Sequence, residues 1–271
     1  NNKLVRIVAP KLEEIGSLYY HRSIPTKLDI HDLTSVRRLT DLYLDMHGKY
    51  HPDTDVGFWL LESCPGVEHV SLWLEHNIRR YSTMGELVDL TSEGKPPFAR
   101  VRSMSICTID FPKRHFLASI SSLFVRCPHL TSLSVQVDSS IARYSSIARS
   151  TASCLCDKFM TDKWEIHGKI ELESLEEVEI KGFRATEEEM QLVRLLFESS
   201  NSIKRMALVN APPAAEQRDG GKDIETVHNQ LLMTVPCSDL GLWCPSQKGY
   251  TWTCDATRSS LKADSLMNED S

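Results

Sequence analysis

The sequence predicts an α/β fold: a curved parallel sheet of short strands with helices and loops on its outer side. Two observations predict it. Seven short runs place apolar residues at the first, fourth and sixth of six positions and recur along most of the chain. Several of the stretches between runs carry apolar residues at helical spacing and end at a proline or polar stop.

The runs are LEEIGS from Leu12, LTDLYL from Leu39, VEHVSL from Val67, VRSMSI from Val101, LTSLSV from Leu130, LEEVEI from Leu175 and IKRMAL from Ile203. The first is imperfect, because Ser17 holds its sixth position and Leu18 follows. Their starting residues differ by 27, 28, 34, 29, 45 and 28. Intervals in the high twenties suit the longer class of leucine-rich repeat, and the two long ones read as loop insertions. Alternate side chains of a strand face opposite sides, so the fourth and sixth positions share one face. Three buried side chains cannot offset the entropy of ordering one unit, so neighbouring units must cover each other's edges. The expected architecture is therefore a leucine-rich-repeat solenoid, with Leu42, Val70, Met104, Leu133, Val178 and Met206 aligned along one spine.

Three helices are expected between the strands. DTDVGFWLLESCPG has Val56, Trp59, Leu60 and Ser63 at helical spacing, followed by a Cys64-Pro65-Gly66 stop. HFLASISSLFVRCPH places Phe116, Leu117, Ile120, Leu123 and Phe124 on one stripe and ends at Cys127-Pro128. TEEEMQLVRLLFESSNS opens with Thr186 and, three residues on, Glu189, a capping box that satisfies free N–H groups at a helix start. Met190, Val193, Leu196 and Phe197 then form its apolar face.

Residues 1–209 are thus assigned to the solenoid. The segment SSIARYSSIARSTASCLC, within the longest interval, reads as a polar insertion. NAPPAAEQRDGGKD is rich in proline, glycine and charge, and a linker is expected over 210–232. Over 233–258, Trp243, Tyr250 and Trp252 suit a small packed hairpin or a flap, read as a cap on the last repeat. A disordered tail is expected over 259–271, where apolar content is low.

Composition narrows the function classes. The 271 residues are 41% hydrophobic and carry a formal charge of −6, with a pI near 5.9. An acidic balance disfavours a sequence-independent nucleic-acid surface. No apolar stretch is long enough to span a membrane, and the opening lacks a secretory signal pattern. An intracellular protein, cytoplasmic or nuclear, is the expectation. Eight cysteines scattered through a core-rich chain suit reduced thiols better than a disulfide framework. A chain that starts at Asn1 with a repeat strand almost at once is expected to be a piece of a longer protein.

Chemistry-bearing patterns are sparse. His47 and His51, with Asp53 and Asp55 nearby, form the most plausible metal spacing, yet ordinary loop residues are the better reading. Cys154-Leu155-Cys156 lacks a second pair, and Cys237, Cys244 and Cys254 are poorly spaced. No nucleophile elbow is present, and Gly220-Gly221-Lys222 has no P-loop context. Acidic runs such as Glu176-Glu177 and Glu187-Glu188-Glu189 read as solvated charge. Neither an enzyme nor a cofactor or metal site is expected.

The remaining candidate is the concave face, where outward side chains form a ladder that a protein target could read. These are Asp41, Tyr43 and Asp45; His69, Ser71 and Trp73; Ser103, Ser105 and Cys107; Ser132, Ser134 and Gln136; Glu177, Glu179 and Lys181; then Arg205 and Ala207. Trp73 and Tyr43 are the natural anchors, because interface hot spots favour Trp, Tyr and Arg.

The Cys-Pro strand entries in ESCPGVEHVSL and VRCPHLTSLSV, with LESLEEVEIKGFRATEEEMQLVRLLFESSNSIKRMALV, resemble plant F-box, leucine-rich-repeat and FBD proteins. The last segment is similar to the FBD region of that family, here 168–209. LGLW and YTWTC resemble tails of its grass members. The resemblance implies a substrate receptor of an SCF-type, cullin-RING ubiquitin ligase, in which F-box helices hold a Skp1-like adaptor and the repeats hold the target. No segment here reads as an F-box, so adaptor binding is expected only through a part missing from this chain. The alternative is a free-standing leucine-rich-repeat scaffold or recognition protein with no ligase link.

Overall fold

The apolar first, fourth and sixth positions of the runs are the residues that the fold buries. The computed structural model describes residues 4–8, 11–16, 27–45, 56–75, 98–108, 115–137, 170–210, 224–234, 241–246 and 249–254. In chain order these form β1 (Leu4–Val8), β2 (Glu14–Gly16), β3 (Lys27–His31), a 3-10 turn (Leu33–Ser35), β4 (Arg38–Asp45), α1 (Val56–Ser63), β5 (His69–Glu75) and β6 (Ser103–Thr108). They continue as α2 (His115–Val125), β7 (Ser132–Val137), β8 (Glu177–Phe183), α3 (Glu187–Ser199), β9 (Arg205–Asn210), α4 (Ile224–Thr234), β10 (Gly241–Ser246) and β11 (Gly249–Cys254).

The strands build an open nine-stranded sheet in the order β10-β11-β9-β8-β7-β6-β5-β4-β2, beside a separate parallel pair of β1 and β3. From β2 to β9 every neighbouring pair is parallel. Leu130, Leu133 and Val135 of one run, and Leu175, Val178 and Ile180 of the next, are all nearly inaccessible. Helix residues Leu60, Ile120, Leu123, Phe124, Val193 and Leu196 share their core, so one sheet face is covered by helices. Among the described residues no helix is long and apolar enough to cross a membrane.

One backbone device recurs from strand to strand. A single carbonyl before each strand accepts two amides of the next unit: Glu68 O from Arg102 and Ser103, Arg102 O from Thr131 and Ser132, Thr131 O from Glu176 and Glu177, and Glu176 O from Lys204 and Arg205. A tight turn precedes the carbonyl, closed by the amides of Val36, Val67, Val101, Leu130 and Leu175 on the oxygens of Leu33, Cys64, Phe98, Cys127 and Leu172. The two Cys-Pro motifs sit in this turn. Proline fits there because it ends the helix and the turn needs no donor from it. Burial pushes the Cys64 thiol up to about 11 and the Cys127 thiol up to about 12.

The same device corrects the register of the second run. Its double acceptor is Arg37 O, which receives Glu68 and His69, and the closing amide is that of Val36. The unit therefore starts at Val36 rather than Leu39. Leu39 lies opposite Val70, whereas Leu42 lies opposite Leu72. Hence the expected spine holds through Val70, Met104, Leu133, Val178 and Met206, but Leu42 belongs to the next row and Leu39 takes its place. VRRLTDLYL offers apolar residues at the right spacing from either start, and a bulge at Thr40 and Asp41 absorbs the extra residue. Asp41 adopts a left-handed φ of 54°, a conformation that aspartate tolerates better than most residues.

A second irregularity lies at Gly182, with φ +78°, where β8 gains a residue over β9. It turns Phe183 into the core. α3 then starts at the expected capping box: Thr186 Oγ1 accepts from Glu189 N, and the Glu189 carboxylate accepts from the amides of Thr186 (3.0 Å) and Arg184 (2.8 Å).

Beyond β9 the expected linker needs correction. The segment 210–232 includes most of α4, whose Val227 and Leu231 are buried one helical turn apart. β10 and β11 form an antiparallel hairpin, and β11 pairs with β9. Trp243 and Trp252 stand edge-on to Phe197 of α3, with ring centroids 6.3 and 5.0 Å away. The hairpin thus covers the last parallel strand with an aromatic cluster, and Pro245 limits pairing along the new edge. The SSIAR insertion, 211–223 and the tail 259–271 lie outside the described residues.

Candidate protein-binding face

Alternation along the strands sends the residues between buried positions to the face opposite the helices. Cross-strand register sorts them into rows. The first row runs Arg38, His69, Ser103, Ser132, Glu177 and Arg205. The second runs Ser71, Ser105, Ser134, Glu179 and Ala207. The third runs Tyr43, Trp73, Cys107, Gln136 and Lys181. His69, Gln136, Glu177, Lys181 and Arg205 are exposed, while Tyr43, Trp73 and the five serines are part-buried.

The expected ladder is therefore assembled, with one correction. Asp41 falls in the bulge of β4, between the Leu39–Val70 and Leu42–Leu72 register pairs, rather than in one of the rows. Asp45 closes the strand and pairs with Glu75. One residue of this face escapes the six-position pattern: Arg38 precedes the assumed start of its run and is exposed in the first row.

The middle of the face is small, polar and uncharged. Towards β8 the charges compensate internally: Lys181 Nζ lies 3.0 Å from Glu179 Oε2, and Glu177 is the register partner of Arg205. Such half-exposed pairs contribute little to stability, about 0–1 kcal/mol each, and leave flat side chains open to a partner. The larger side chains gather at the other end, on β4 and β5.

Among the described residues no group of three or more His, Cys, Asp or Glu side chains is placed to hold a metal ion. The His47 and His51 pair and the Cys154 and Cys156 pair lie outside the described residues. One cleft of about 400 Å³ lies between α3 and α4, lined by Glu187, Met190, Arg194, Asn229, Gln230 and Met233.

No curated protein and no solved structure matches the chain. A family model does match part of it: residues 172–208, the turn at Leu172 with β8, α3 and all but the end of β9, are similar to the FBD family.

Proposed function

We propose that this chain is a non-enzymatic protein-binding module, the target-recognition region of an F-box-type receptor of an SCF ubiquitin ligase. The observation that carries the reading is the FBD match over 172–208, since FBD domains are associated with F-box proteins. The outward rows on six parallel strands support it, because they offer a broad face of mixed small, aromatic and charged side chains. Recurring turns and double-acceptor carbonyls support a leucine-rich-repeat solenoid, in which this face is concave and holds the protein target. The Skp1-like adaptor is held by an F-box outside this chain, and the protein works in the cytoplasm or nucleus.

Adaptor capture by the natural full-length protein tests the ligase link. The reading expects a Skp1-like adaptor to bind the full-length protein and not residues 1–271 alone. A full-length protein that binds a target but no adaptor is instead a free-standing recognition scaffold.

A further inference from the structure

We draw no further inference here: the strongest candidate, the outward side of the β10 and β11 hairpin, where Leu242 stands exposed opposite Thr253, carries nothing because nothing in the structure shows what covers it.

Discussion

The Arg126 guanidinium, at the end of α2, lies 3.4 Å from the Glu62 carboxylate of α1 although the arginine side chain is only 4% exposed. It also sits 3.9 Å above the Phe98 ring, and Phe98 N donates to Arg126 O. One cation thus ties two consecutive helices to the turn that starts β6. Burial lowers the arginine pKa and the neighbouring Glu62 opposes that shift, but arginine stays charged at any ordinary pH. Removing the carboxylate leaves a buried charge short of one partner. Glu62→Ala is expected to cost about 1–3 kcal/mol, with Glu62→Gln losing less because it keeps an acceptor. Urea unfolding midpoints check this, and an unchanged midpoint for Glu62→Ala contradicts it.

Gly182 makes a sharper prediction. Its φ of +78° disfavours any residue with a Cβ, and a Cβ placed there comes within 2.5 Å of Val137 O. Backbone cannot swing aside as a side chain does. Gly182→Ala should therefore cost on the order of 1–3 kcal/mol, from strain and from loosened β7–β8 pairing. Hydrogen exchange localised to β7, β8 and Phe183 reads the second effect, and unchanged protection there argues against it.

Glu189 makes stability depend on pH. Burial raises its carboxyl pKa above the usual 4.5, although hydrogen bonds from the Thr186 and Arg184 amides work the other way. The folded state therefore keeps a proton that the unfolded chain has already released. Its contribution is fully present below the unfolded value and is lost as pH rises through the folded one. Glu189→Gln abolishes this slope. The stability of the parent relative to the variant should fall as pH rises from the ordinary carboxylate range; a difference independent of pH would show that Glu189 has a normal pKa.

Much of this was legible in the sequence because burial follows local period. The run from Leu130 is inaccessible at its first, fourth and sixth positions, and α1, α2 and α3 lie within the stretches whose apolar spacing predicts helices. Thr186 and Glu189 announced their helix start four residues in advance of its first buried hydrophobic, Met190. The second run was misplaced because Val36, Leu39 and Leu42 satisfy two registers, and only long-range hydrogen bonding to Glu68 decides between them. α4 was hidden by the Pro- and Gly-rich stretch before it and by the brevity of its apolar stripe, whose burial depends on contacts with α3 and β10. The outward rows followed from alternation once the strands were placed. Asp41 could not, since a bulge is chosen by the neighbouring strand.

The most direct measurement of the central claim is target capture by a chain whose outward face has been blocked. Ser105 and Ser134 are neighbours in the middle row, part-exposed and outside the buried core. Ser105→Arg with Ser134→Arg adds bulk to that row, while Arg194→Ala on α3 serves as a control on the helical side. Quantitative comparison of co-purifying proteins should show the parent's partners lost from the double variant at an unfolding midpoint near that of the parent, and retained by the control. Partners retained by a folded double variant would contradict the assignment of this face as the binding surface.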